Sequence, residues 1–175
     1  MKVAVFGSAF NPPTYSHMKI IELIMDKFDQ VLVIPCYSHN FGKKMLPFED
    51  RLEMAKLLIN HLPKKVIISD IEKDLFKDSI SRTYPLLKKL KEKNPENDYV
   101  FVCGFDNAEE SNWKKFYNYK LIDKEFGKYV IYENVGHTRS TIIRNKLAKG
   151  EDISGLTKPE IIKYINDNQI KFDIM

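Results

Sequence analysis

The chain is short of several things, and each scarcity excludes a class of protein. Two cysteines in 175 residues, Cys36 and Cys103, exclude a disulfide-stapled scaffold. Each follows an apolar run and their spacing fits no metal motif, so reduced thiols in a cytoplasmic protein are expected, with no protein-bound metal. No apolar run approaches the ~20 residues that cross a bilayer, so no membrane partner is expected. The first residues read as a strand, not as a charged segment leading into a long apolar one, and no signal peptide is expected. Repeats, low-complexity tracts and linkers are absent, and 175 residues suffice for one domain, 1–175, with a proper core. The sequence leaves homo-oligomerisation open.

What is present is ordinary for a soluble globular protein, with 43% hydrophobic and 30% charged residues. A formal charge of +4 suits an anionic ligand without identifying one. Lys88, Lys89, Lys91 and Lys93 lack interleaved aromatics and read as a solvated helix face, so nucleic acid is not expected as a partner.

The apolar patterning alternates between two periods. Strands are expected at 2–7, 30–35, 66–68, 99–104 and 129–132, and helices at 17–28, 49–61, 81–93, 111–123, 140–149 and 158–166. The last helix opens on Thr157-Lys158-Pro159-Glu160, a capping-box pattern. Strands alternating with helices predict an α/β fold, a single Rossmann-like domain whose parallel sheet of about five strands carries helices on both faces. Ligands of such sheets gather beyond the strands' carboxyl ends, where strand order reverses. The first and fourth strands both end in Gly followed by polar residues, so their loops are the expected walls of one site.

The stretch from Gly7 to His17, Gly-Ser-Ala-Phe-Asn-Pro-Pro-Thr-Tyr-Ser-His, joins the first strand to the first helix. Amides at that helix start, with the helix dipole, favour an anion. Thr14 and His17, three apart, can turn a hydroxyl and an imidazole toward it, so a phosphate site is expected. Gly and Pro also serve simply to turn a chain, and from these residues alone that reading stands beside the first.

Later stretches add polar candidates. Lys43 and Lys44 follow the second strand, where lysine suits phosphate oxygens but is also common as plain surface. Arg51 lies in the first turn of a helix, unfavourably for the dipole, which points to an acidic neighbour (Glu49 or Asp50) or an anionic ligand. Gly104 permits close approach of a ligand to backbone, Asp106 can accept ribose hydroxyls, and Trp113 offers a stacking face. From His137 to Arg144, Ser140 or Thr141 can cap a helix whose first amides bind phosphate, with Arg144 one turn on. A capped amphipathic helix with solvated arginines fits equally.

Taken together, these stretches resemble the bacterial nicotinate-mononucleotide adenylyltransferases of the HIGH-type nucleotidyltransferase superfamily. The first motif of that superfamily, G-x-F-x-P-x-(H/T)-x-x-H, appears here in its Thr form, with Ser16 before His17 in place of the usual Gly. The family's later features fall on Lys44, Arg51, Thr83, Gly104 with Asp106, Trp113-Lys114, and Arg139-Ser140-Thr141-Ile142-Ile143-Arg144. Arg139 stands where the family has Ser.

The resemblance implies transfer of AMP from ATP to nicotinate mononucleotide, giving deamido-NAD and pyrophosphate in NAD biosynthesis, with Mg2+ as helper. It implies catalytic roles for His17, Thr14, Lys44 and Arg144. Gly7, Ser8, Ala9, Phe10, Gly104, Asp106, Ser140, Thr141 and Ile142 would line the ATP site. Arg51, Thr83, Asn107 and Trp113 would serve the mononucleotide. Nicotinamide mononucleotide and phosphopantetheine are rival acceptors for the same transfer, and a non-catalytic nucleotide-binding protein on the same fold is the alternative of another class.

Overall fold

The two expected periods resolve into a regular α/β alternation. The computed structural model describes residues 1–38, 44–136 and 138–172; Lys43 and His137 lie outside them. The elements are β1 (Lys2–Ser8), α1 (Tyr15–Met25), β2 (Gln30–Pro35), α2 (Phe48–Ile59), β3 (Val66–Ile68), α3 (Ile71–Leu75) and α4 (Thr83–Lys93). They continue with β4 (Asp98–Gly104), α5 (Phe105–Ala108), α6 (Glu110–Trp113), α7 (Tyr119–Glu125), β5 (Lys128–Ile131), α8 (Ser140–Ala148) and α9 (Pro159–Asp167).

All five strands pair in parallel, in the order β3-β2-β1-β4-β5. The chain winds outward from β1 to β3, then returns to place β4 on the other side of β1. The switch point therefore lies between β1 and β4, which is where such sheets hold their ligands.

The sheet is covered on both faces, which explains why β1 is an unbroken apolar run. Its alternate residues serve different cores. Ala4 and Phe6 pack with Ile21 and Ile24 of α1, Ile143 of α8 and Ile161 of α9. Val3 and Val5 pack with Leu87 and Leu90 of α4, Trp113 of α6 and Ile122 of α7. Among the described residues, no helix is long and apolar enough to cross a membrane.

Three local expectations need correction. The helix expected over 111–123 is divided, with α6 ending at Trp113 and α7 starting at Tyr119. The break includes Asn118, whose φ of 54° is left-handed and cannot continue a helix. The short helix α3 was not expected, because five residues are too few to show a helical period. The capping box at the last helix does not form: Lys158 is its N-cap, without a side-chain cap bond. Thr157 instead donates its hydroxyl to the Pro13 carbonyl at 2.8 Å, and Glu160 pairs with Lys158 at 2.9 Å.

Candidate active site

The loop after β1 is fixed by its carbonyls. Pro12 and Pro13 bring no N–H to satisfy, so only acceptors remain to be matched in this buried turn. Three consecutive carbonyls are matched from the chain's far end. Arg144 donates to Asn11 at 2.8 Å, Ser140 Oγ to Pro12 at 2.7 Å and Thr157 Oγ1 to Pro13 at 2.8 Å. Phe10 stands before them in the left-handed region, φ 50°, with the peptide Asn11–Pro12 cis. A bulky residue tolerates such a backbone only where packing holds it. Phe10 is fully buried, edge-on to Phe6 at 5.8 Å and 4.8 Å from the His17 ring.

The start of α1 departs from expectation. Thr14 is the N-cap, completely buried, and its hydroxyl accepts the His17 amide at 3.3 Å. Its backbone N–H donates to His17 Nδ1 at 3.0 Å, closing a capping box. The Tyr15 amide is taken by the Leu156 carbonyl and the Met18 amide by that of Thr14. Three of the helix's first four amides are thus used inside the protein, and Thr14 turns its hydroxyl to His17 and not outward. Both expectations, of α1 amides and of the Thr14 hydroxyl facing an anion, are corrected.

The same bonds settle the chemistry of His17. An N–H donating to Nδ1 requires a bare Nδ1, so the neutral ring carries its proton on Nε2. Nε2 lies 3.1 Å from Ser8 Oγ at the carboxyl end of β1. Burial beside the Phe6 and Phe10 rings pushes the imidazole down to about 4, keeping it neutral. His17 is therefore a hydrogen-bond donor with its tautomer set by backbone.

Arg51 is the second correction. Its guanidinium meets neither Glu49 nor Asp50. It donates to four carbonyls: Leu46 at 2.9 Å, Ala9 at 2.9 Å, Cys36 at 2.6 Å and Tyr37 at 3.3 Å. With 1% of its surface exposed, it has no face left for a substrate phosphate. It joins the β1 loop to the β2 loop. Asn11, which the sequence did not single out, does similar work: its Oδ1 accepts the Leu46 amide at 3.1 Å, beside the exposed Lys44. Only its place between Phe10 and the prolines could have signalled it. Thr83 opens α4, next to Ser81, which bonds Ser38 of the β2 loop.

Across the switch point, β4 ends in Gly104, where an added Cβ would meet nothing within 4 Å. Asp106 and Asn107 on α5 are exposed. Asp106 lies 3.9 Å from Arg139, which precedes α8. No side chain caps α8, so its first-turn amides at Ser140 and Thr141 have no capping oxygen in front of them. The expected Ser or Thr cap is absent because the Ser140 hydroxyl goes to Pro12. Arg144 is 92% buried by its 8% exposure; besides Asn11 it reaches Thr141 Oγ1 at 3.0 Å, and its Nε is buried without a partner. Ile142 is exposed at this rim, as are Phe105 and Tyr132, whose rings meet at 5.8 Å. Sequence reasoning missed that aromatic pair, since its members are 27 positions apart and meet only through the β4–β5 pairing.

Trp113 is corrected as well. The indole is buried against Phe101 and Phe116, and its Nε1 donates to Asp123 at 2.9 Å. Lys128, paired with Asp123, lies 4.5 Å over the ring. Its faces are occupied, so it belongs to the core of the α4 side and offers no open platform. A separate groove of about 810 Å³ lies between α3 and α4, bordered by Met1, Gln30 and Asn97. It contains none of the site candidates.

The structure thus brings Ser8, His17, Arg144, Ser140, Thr141, Gly104 and Asp106 to one end of the sheet, around the β1/β4 switch. Known proteins share this fold. The cytidylyltransferase-like family model matches residues 5–146. A protein of Anaeromyxobacter dehalogenans named as a nicotinate-nucleotide adenylyltransferase is 30% identical, over 97% of this chain and 96% of its own. One of Fusobacterium nucleatum is 32% identical, over 97% of this chain and 100% of its own. A solved nicotinate-nucleotide adenylyltransferase structure from Vibrio parahaemolyticus superposes with a TM-score of 0.79 at 35% identity, covering 95% of this chain and 92% of that one. The chain belongs to the cytidylyltransferase-like family and, within it, to the nicotinate-nucleotide adenylyltransferases, which are nucleotidyltransferases.

Proposed function

We infer that the chain transfers the adenylyl group of ATP to nicotinate mononucleotide, giving deamido-NAD and pyrophosphate. The carrying observation is the neutral His17, whose Nε2–H is set by the Thr14 amide beside an uncapped α8 and the buried cation Arg144. A mononucleotide phosphate oxygen attacks the α-phosphorus, and the bond to the β-phosphate oxygen breaks. Such a step asks for positioning and charge stabilisation, not for a protein nucleophile.

His17 donates to an α-phosphoryl oxygen, for which Ser8 Oγ holds the place, and the contact strengthens as charge builds there. The Ser140 and Thr141 amides receive the outer phosphates, Arg144 supplies fixed positive charge beneath them, and Lys44 adds a second cation. Gly104 lets the nucleoside approach the backbone, Asp106 takes ribose hydroxyls, and Phe105 with Tyr132 gives a planar base an apolar edge. Asn107 and Thr83 lie on the acceptor side. Thr14 and Arg51 act behind these groups, by orienting His17 and by joining two loops.

Among the described residues no three His, Cys, Asp or Glu side chains cluster to hold a metal ion. The described side chains offer Mg2+ no such cluster, and the ion would arrive on the triphosphate oxygens of ATP. No step above runs through it. We place the reaction in the cytoplasm, with the whole chain acting as one nucleotidyltransferase domain on small molecules alone.

The test offers purified protein ATP and Mg2+ with nicotinate mononucleotide, nicotinamide mononucleotide or phosphopantetheine in parallel, following pyrophosphate. Release chiefly with nicotinate mononucleotide is expected. Preference for another acceptor overturns the substrate, and ATP binding without release from any of the three overturns the enzyme.

A further inference from the structure

One buried charge near the site has no part in the chemistry above. Glu72, on α3, is 4% exposed. Its Oε1 accepts the Tyr37 amide at 3.1 Å, and the Ser81 side chain supports the same carboxylate. Around it Ser38 and Ser81 bond reciprocally. The Ser38 amide donates to Ser81 Oγ at 3.0 Å, the Ser81 amide to Ser38 Oγ at 3.1 Å, and Ser38 Oγ to the Ser79 carbonyl at 3.3 Å. The start of the β2 loop is therefore held from two sides. Arg51 takes its carbonyls, as described above, and Glu72 takes its amide. The two side chains are oppositely charged and attract one another.

A buried carboxylate is retained at a cost in desolvation unless its bonds are needed. Here the bonds join two stretches, Tyr37–Ser38 after β2 and Ser81 two residues before Thr83, which the adenylyl-transfer reading assigns to the acceptor half of the site. We propose that Glu72 is a positioning residue for the mononucleotide, fixing the separation between the β2 loop and the Ser81–Thr83 segment. This rests on the adenylyl-transfer reading.

The charge on Glu72 is what draws Arg51 and strengthens the Tyr37 bond. From α2 it faces Arg51, and from the end of β2 the Cys36 thiol, which burial pushes up to about 11 and keeps protonated. On α3 itself its neighbours are Lys73, paired with Glu49, and Asp74. Burial pushes the carboxyl up to about 6, so it takes a proton within the range of an ordinary assay. Acid should loosen the acceptor side and spare the ATP side.

The experiment compares wild type with E72Q, varying each substrate separately from pH 5.5 to 8. At pH 8 the variant should raise the mononucleotide KM about fivefold, the scale of one weakened charge-assisted hydrogen bond, with kcat and the ATP KM within about twofold. Toward pH 5.5 the wild-type value should converge on that of E72Q. The ratio of the two cancels the titration of the substrate's own phosphate. A ratio constant with pH, or an equal shift in the ATP KM, overturns the proposal. S81A carries the same test if E72Q fails to fold: it should raise the mononucleotide KM about threefold and spare ATP, and no change overturns the proposal. Wild type inactive with every mononucleotide defeats the parent reading and this one together; an active wild type with unshifted variants defeats this one alone.

Discussion

Two corners flank the same switch point and are built on opposite principles. In the corner of β1, α1 and α8, polar side chains bond to protein: Thr14, Arg144, Ser140 and Thr157 all tie one segment to another. In the corner of β4 and α5, Asp106, Asn107, Phe105 and Tyr132 stand in solvent. The first corner has lost its freedom on folding and aims a few groups at fixed places, which is what stabilising a transition state requires. The second offers area and hydrogen-bonding edges, which suits binding. Chemistry should therefore fail when the first corner is cut, and affinity when the second is.

The contrast is most severely tested at Arg51. R51M removes a buried guanidinium that serves four carbonyls and should lower stability by about 3–5 kcal/mol in urea unfolding, with activity lost as the two loops part. A variant of unchanged stability would mean that the guanidinium is not the tie between them. H17A should lower kcat by about 10²–10³ while the ATP KM shifts by about threefold or less; equal losses in both would make His17 a binding group only and break the contrast.

Acid acts on the same residue. The folded His17 sits near 4, below the usual 6.5, so between these values the unfolded chain binds the proton and the folded one does not. Stability contributed by the neutral ring is complete above about 6.5 and falls as pH drops toward 4. Glu72, raised from 4.5 to about 6, acts in the opposite sense between those values. Urea midpoints measured from pH 4 to 7 should therefore fall less steeply on acidification in His17→Asn than in wild type.

Trp113 sharpens the boundary between the corners. W113F removes the bond to Asp123 and part of the packing on Phe101, and should cost about 1–2 kcal/mol with the mononucleotide KM within about twofold. A raised KM at unchanged stability would return the indole to the site. The smallest effect belongs to R139S, which deletes an exposed 3.9 Å pair with Asp106 and should move stability by less than about 0.5 kcal/mol. Its ATP KM tells whether that pair competes with ribose.

Much of this molecule can be read along the chain. The β1 run, the Gly7–His17 motif and the Gly ending of β4 are local patterns, and the parallel sheet with its site between the first and fourth strands follows from their order. What is illegible involves partners far away in sequence. Arg51 looks like a free cation until Ala9, Cys36, Tyr37 and Leu46 converge on it. Trp113 looks like a platform until Phe101 and Asp123 close over it. Thr14 looks outward until its own helix turns it to His17.

The sequence by itself determined the fold class, the family and the end of the sheet that carries the candidate site, because periodicity, turn residues and motif spacing are short-range properties of a chain. Only the tertiary structure decided which polar groups remain available. A carbonyl takes whichever donor the fold delivers, and here it took Thr157, Ser140 and Arg51 from the roles their local sequence suggested, leaving α8 without a side-chain cap and the Nε2–H of His17 against Ser8 Oγ.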